Sequence, residues 1–273
     1  MEIKIPKWIY LLALVIRLAP VLASYNLGIG LDDMHQYDML GRSLVSGNGY
    51  RWYSEPDLDL IRPYLNVDLT NVLYDPRGIE AAFRAPMYPI FLTVIYFIFG
   101  LAHRFFFARL AQAAVNAMLA PMAYVLARRV DPGNERTARV AALIVALYPM
   151  LALYPLALAT ENVFFVLALG TVLLLLRGAQ SNRTTGGGPP AAEPGVWERP
   201  GVRWFILAGA VLGLGILTRS VLAFFLPFAM FWIWKFARSL RGAVLFAVAA
   251  AAVVFPWALR NSILAGRPAF VEI

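Results

Sequence analysis

The sequence predicts an all-α, polytopic membrane protein of about seven transmembrane helices, with extracytoplasmic juxtamembrane helices in its first outer loop. Three observations predict it. Hydrophobic residues make up 60% of the 273 and charged residues only 15%, for a mean hydropathy of +0.66. A soluble domain of that composition would expose too much apolar surface. The apolar residues fall into blocks of near-membrane length, and arginines and lysines cluster between them, as they do on the cytoplasmic side of membrane proteins.

The blocks follow in order. Trp8 to Tyr25 comes after Lys4 and Lys7 and is read as a retained anchor. Val21-Leu22-Ala23 would also suit a cleavage site, but Arg17 and Pro20 interrupt the apolar core and further spans follow. Pro86 to Leu101 is about 16 residues, short of the roughly 20 a span needs. Phe105 to Ala127, Val140 to Ala159, Val163 to Leu176, Trp204 to Leu217, Val221 to Phe236 and Ala243 to Leu259 complete the set.

Basic clusters set the direction. Lys4 and Lys7, then Arg128, Arg129, Arg136 and Arg139, then Arg177, Arg183, Arg199 and Arg203, then Lys235, Arg238 and Arg241 are all cytoplasmic only if an even number of crossings separates each pair. One of the first three blocks therefore does not cross. Pro86 to Leu101, with Pro86 and Pro89 at its start and His103 and Arg104 beyond its end, is read as an interfacial or re-entrant outer helix. The alternative, that it crosses, puts Arg128 and Arg129 outside, against the charge rule. Residues 1–273 then form a single membrane-embedded module in the plasma membrane, with a cytoplasmic N-terminus. Residues 26–104 are its first extracytoplasmic loop, and the Gly/Pro-rich residues 178–203 are a flexible cytoplasmic loop. The Asn182-Arg183-Thr184 sequon falls on the cytoplasmic side and carries no weight.

Several functions are disfavoured. A net charge of +8 in a membrane chain marks loops and lipid headgroups, not nucleic acid. With no cysteine there is no disulfide or thiolate site. His35 and His103 have no partner at zinc-ligand spacing, and no glycine-rich phosphate loop or nucleotide-binding signature is present. No internal repeat supports a transporter.

What remains are isolated charges, and the topology puts most of them on the outer face. Asp32 and Asp33 open an amphipathic stretch in which Asp33 and Tyr37 share a helical face; the bland reading is a helix N-cap. Glu161 lies at the outer end of a span and Arg219 in a tight outer hairpin. Arg84 precedes the Pro86 helix, and Arg260 follows Pro256-Trp257. Arg17 sits within the first span, where an unpaired guanidinium is costly. Arg17, Arg84, Arg219 and Arg260 suit a lipid phosphate, whose oxygens guanidinium matches in bidentate geometry. Interfacial snorkelling is the plainer reading for Arg84 and Arg260. A divalent ion, if there is one, falls to Asp33 and Glu161.

In order, Asp33, Tyr37, Leu40, Leu44, Gly47, Gly49 and Tyr50 are followed by Arg84-x-Pro86-x-Tyr88-Pro89, Phe99-Gly100, Arg109 and Gln112, Thr160-Glu161, Leu217-Thr218-Arg219 and Pro256-Trp257-x-x-Arg260-Asn261 with Gly266-Arg267. This ordered set resembles the GT-C glycosyltransferases of the protein mannosyltransferase and aminoarabinose transferase type, family 39. The resemblance implies inverting transfer of a sugar from a polyprenyl-phosphate donor to a lipid, glycan or protein acceptor on the outer face. It implies Asp33 as the base, with Asp32 and Glu161 as the other acids. Tyr37, Arg84, Arg219, Arg260 and Arg17 would be substrate-binding, with Arg219 and Arg260 on the leaving phosphate. Two departures stand out: the family often has Thr-Arg-Pro where this chain has Thr218-Arg219-Ser220, and its members usually continue through further spans after the Pro-Trp motif. A non-enzymatic polyprenyl-phosphate-binding or flippase-like protein is the alternative; it needs the arginines but not Asp33.

Overall fold

A computed structural model describes residues 3–63, 74–184 and 201–272, and these are overwhelmingly helical. Helix α1 (Lys7–Ala23) leads to an outer layer. There, α2 (Asp33–Val45) ends in a turn whose Gly47 and Gly49 take φ of 76° and 83°, backbone that costs glycine little. A two-residue ribbon follows, β1 (Arg51–Trp52) antiparallel to β2 (Ile79–Glu80), with Arg51 opposite Glu80. Within its connection lies α3 (Glu55–Ile61), whose start carries a Ser54/Asp57 capping box.

The remaining helices are α4 (Met87–Phe99), α5 (Arg104–Ala117), α6 (Leu119–Val130), α7 (Glu135–Leu147), α8 (Pro149–Leu153), α9 (Glu161–Thr184), α10 (Val202–Ile216), α11 (Phe225–Phe236) and α12 (Leu240–Ala265). Among the described residues, three stretches are long and apolar enough to cross a membrane: Arg104–Val130, Glu161–Asn182 and Leu240–Ala265. A fourth is added if Glu135–Leu147 and Pro149–Leu156, bent by 52° at Tyr148, count as one span. Helix α4 has 13 residues, about 20 Å at 1.5 Å each, against a hydrocarbon core of about 30 Å.

One boundary moves. The helix that begins at Glu161 runs on to Thr184, through the first residues of the expected 178–203 loop. Gly178 is there to make room: a Cβ on it would come within 2.6 Å of the Phe205 ring of α10. Its role is close packing, where the sequence suggests a flexible linker. Residues 185–200 of that loop lie outside the described residues.

Of four hydrophobic clusters among the described residues, two hold the longer helices together. Between α1, α5, α6 and α7 the seam is alanine: Ala13, Ala117, Ala120, Ala138, Ala142 and Ala146 are buried there with Ile9 and Tyr124. Small side chains let helix backbones approach closely where lipid supplies no hydrophobic drive. The second core joins α9, α10, α11 and α12 around Phe205, Leu212, Ile233 and Phe246. Its tightest point is Gly209, where a Cβ would meet the Phe246 carbonyl oxygen at 2.1 Å.

The outer layer is fastened by charge. The Asp38 carboxylate of α2 is 1% exposed and accepts from Arg42 Nε (2.8 Å), Arg104 Nε (2.7 Å) and the Tyr96 hydroxyl (3.0 Å). Arg42 also pairs with Asp57 of α3. A buried carboxylate is tolerable only when its lone pairs are filled in this way. The network locks α2 to α3, α4 and α5, and so fixes the direction of its N-terminus.

Candidate functional site

Four separate stretches meet at the N-terminus of α2. Asp32 caps the helix, accepting from the Met34 N–H at 2.9 Å, and Asp33 opens the first turn. Tyr37 lies one turn on, packed edge-on against Tyr88 at 5.0 Å. Arg84 arrives on the segment before α4. The Met87 N–H donates to the Leu217 carbonyl at 3.0 Å, which joins that segment to the end of α10. Glu161 opens α9, and Arg219 begins the 3-10 turn Ser220–Phe224 after α10.

These residues line one cavity of about 450 Å³, with Asp32, Asp33, Tyr37, Arg84, Thr160, Glu161, Arg219, Ser220 and Glu272 in its wall. Arg84 Nη2 donates to Asp33, and Arg219 Nη1 donates to Glu161. The pairs join residues 51 and 58 apart in sequence. Arg84 is also held by Gln36 (2.8 Å) and lies 5.3 Å from the Tyr37 ring centroid. Burial pushes the Tyr37 phenol above its ordinary value; Asp33 and Glu161 push the same way, against Arg84 and Arg219. The phenol is therefore a neutral hydrogen-bonding group at neutral pH.

An apolar recess of about 460 Å³ begins within one turn of Arg219. Leu222 and Phe225 line it with Leu119, Val145, Phe165 and Leu169. The Arg219 guanidinium itself lies 5.8 Å from the Phe164 ring. Val221 lines the charged cavity and the next residue, Leu222, lines the apolar one.

Two expected substrate-binding residues do not line the cavity. Arg260 donates to the Ala81 carbonyl (2.8 Å) and lies over the Trp257 and Tyr50 rings at 4.7 and 5.5 Å. The Tyr50 hydroxyl in turn donates to the Arg84 carbonyl at 3.0 Å. Arg260 therefore grips the strap that carries Arg84 from behind. Arg17 is fully buried among α1, α5 and α7: it donates to Asn116 Oδ1 (2.7 Å) and to the carbonyls of Ala13, Ala146 and Val145. Its guanidinium is satisfied by protein groups, which answers the cost that singled it out in the sequence.

Asp33 and Glu161 each already hold a guanidinium, and among the described residues no group of three or more His, Cys, Asp or Glu is arranged to hold a metal. His35 does not line the cavity; burial lowers its pKa, against the pull of Asp57 and Asp38, and its buried Nε2 has no hydrogen-bond partner among the described residues.

Sequence reading missed Glu272, Ser220 and the Asp38–Arg104 anchor. The Ser220 hydroxyl donates to Glu272 at 2.9 Å, a contact across 52 residues with no local signature. Asp38 and Arg42, four apart on one helix face, were legible as a pair. Compared with models of protein families, with curated proteins and with solved structures, the chain has no match.

Proposed function

We propose that this chain is a membrane glycosyltransferase that moves a sugar from a polyprenyl-phosphate donor to an acceptor on the extracytoplasmic face, with inversion. The observation that carries the reading is the convergence of Asp33, Arg84, Glu161 and Arg219 in one cavity beside an apolar recess. A lipid-linked sugar phosphate needs that combination: apolar space for the chain, guanidinium for the phosphate, and a carboxylate at the reacting centre.

In this reading the acceptor hydroxyl attacks the sugar C1 while Asp33 takes its proton. The bond from C1 to the phosphate oxygen breaks, and polyprenyl phosphate departs with the electron pair. Arg84 and Arg219 meet the charge on that phosphate; Arg260 positions Arg84 through the Ala81 strap. Glu161 and the Tyr37 phenol orient the acceptor. The topology proposed with it has seven crossings: α1, α5–α6, α7–α8, α9, α10, the Ser220–Phe236 stretch and α12. The N-terminus is cytoplasmic, and α2, α3 and α4 lie on the outer face of the plasma membrane.

Transfer by purified protein in nanodiscs, over a panel of polyprenyl-phosphate sugars, tests the reading. Asp33→Asn is expected to lower turnover about 100-fold to 10,000-fold, the range for loss of a positioned base. Turnover that survives Asp33→Asn undiminished removes Asp33 from the mechanism. A non-enzymatic polyprenyl-phosphate-binding protein is the second reading, favoured by the apolar recess, which a lipid carrier needs equally. It predicts lipid binding without turnover in both proteins.

A further inference from the structure

The two ion pairs in the cavity are built in opposite senses. In the first, the guanidinium is the fixed partner. The Arg84 side chain is 18% exposed, against 64% for Asp33. Gln36 holds its Nε, Tyr37 and Phe83 lie on it at 5.3 and 5.0 Å, and Tyr50 holds its backbone carbonyl. Asp33 has Arg84 as its one side-chain partner among the described residues. In the second pair the carboxylate is fixed. Glu161 is 24% exposed, sits at the first residue of α9 and accepts from the Thr160 hydroxyl at 3.2 Å, while Arg219 is 43% exposed.

Charge adds a constraint. The wall carries four acids, Asp32, Asp33, Glu161 and Glu272, against two arginines, so its formal charge is 2 − 4 = −2. An anionic phosphate would not enter while both guanidiniums are engaged. Entry requires that a carboxylate give way, and Asp33 is the one free to do so.

We propose that Asp33 occupies, on Arg84, the place that the donor phosphate takes. Phosphate displaces Asp33 from the guanidinium, and repulsion between the two anions turns the freed carboxylate toward the acceptor. Glu161 keeps Arg219 throughout. The inference rests on the lipid-phosphate reading of this cavity and adds to it a reason for order: the carboxylate becomes available to accept a proton only once the donor is bound. Asp33 is then both base and internal competitor, so its removal has opposite effects on binding and on turnover.

The test is the affinity of polyprenyl phosphate, without sugar, for protein in phosphatidylcholine nanodiscs. Wild type is compared with Asp33→Asn, Asp33→Ser, Arg84→Gln and Glu272→Gln. Removing an exposed competing ion pair is expected to tighten binding about threefold to fivefold in both Asp33 variants, while turnover of the matching donor is lost. Arg84→Gln is expected to weaken binding at least about tenfold, the loss of a charge-assisted contact. Glu272→Gln removes the same charge from the wall without releasing Arg84, and its affinity is expected to stay within about twofold. Unchanged or weaker binding in both Asp33 variants overturns the exchange while leaving the lipid-phosphate reading intact. Equal tightening in Glu272→Gln also overturns it, by reducing the effect to mean charge. No binding by wild type or any variant overturns the exchange and the reading beneath it together.

Discussion

The Val145 carbonyl has no helical partner, because the residue four positions on is Pro149, which carries no N–H. The Ala146 carbonyl is likewise stranded where the helix bends by 52°. Arg17 donates to both, at 3.2 Å each, and its charge meets the negative end of the α7 dipole. The residue thus closes a break in the bundle. Arg17→Met removes the donor from those carbonyls and from Asn116 Oδ1, and is expected to destabilise the fold by about 2–4 kcal/mol with polyprenyl-phosphate affinity of the folded fraction unchanged. Thermal unfolding beside binding in detergent checks it; lost affinity without lost stability would return Arg17 to the substrate. His35 poses a pH question. Its folded pKa lies below the ordinary 6.5, and desolvation is the main cause. The unfolded chain therefore binds the proton first as pH falls. Stability is unaffected above about 6.5 and declines below it. His35→Gln is expected to flatten the difference in melting temperature between pH 7 and pH 5. A slope unchanged by the substitution would assign that pH dependence to other groups.

At the level of elements, α2 matters most, since its N-terminus aims Asp33. Its apolar face sets part of that direction: Tyr37 clusters with Tyr88, Leu92 and Tyr96 of α4, and Leu40 with Tyr50 and Ala81. The Asp38 network adds to it by joining α2 to α4 and α5 through Tyr96 and Arg104, and to α3 through Arg42 and Asp57. Among the described residues, Asp38→Asn would leave Arg104 with no carboxylate partner and Arg42 with Asp57 alone. A fully buried broken pair costs about 3–5 kcal/mol; Arg42 and Arg104 are partly exposed, so about 2–3 kcal/mol is expected here after solvent screening. Turnover should fall as α2 loosens. Chemical denaturation in mixed micelles reads the first effect, and a melting curve superimposable on wild type would show that α2 is held by other contacts. The same scale explains the short helices α4 and α8. Pro149 and Pro155 interrupt an apolar run that hydropathy alone would join, while α4 starts after Pro86 and stops at Gly100, whose φ is 75°.

For the whole molecule the question is sidedness. The cavity lies at one end of the bundle, where α9 begins; Arg177, near its other end, is 16 residues or about 24 Å away. The orientation proposed puts the cavity outside. Because the chain has no cysteine, single cysteines report it cleanly. Leu31→Cys, exposed between α1 and α2, is expected to react with a membrane-impermeant maleimide on intact cells. Arg136→Cys, exposed in the first turn of α7, is expected to react only after permeabilisation. The reverse pattern would invert the topology and put the cavity in the cytoplasm.

Composition and block length determined the all-α class and the apolar character of the bundle, because hydropathy is a property of neighbours in sequence. They also marked where charges stand out from the apolar background: Asp33, Arg84, Glu161 and Arg219 were legible for that reason. Which of those charges meet was decided by the tertiary structure. Ion pairs act through space, and the partners here lie 51 and 58 residues apart, beyond any periodicity of helix or strand. That distance is why Arg17 and Arg260, as conspicuous in sequence as the others, turn out to hold backbone carbonyls. It is also why Glu272, inconspicuous in sequence, stands in the cavity wall. Hydropathy overextends the linker for a related reason: Gly178 breaks an apolar run locally, but the space it leaves belongs to Phe205 of another helix.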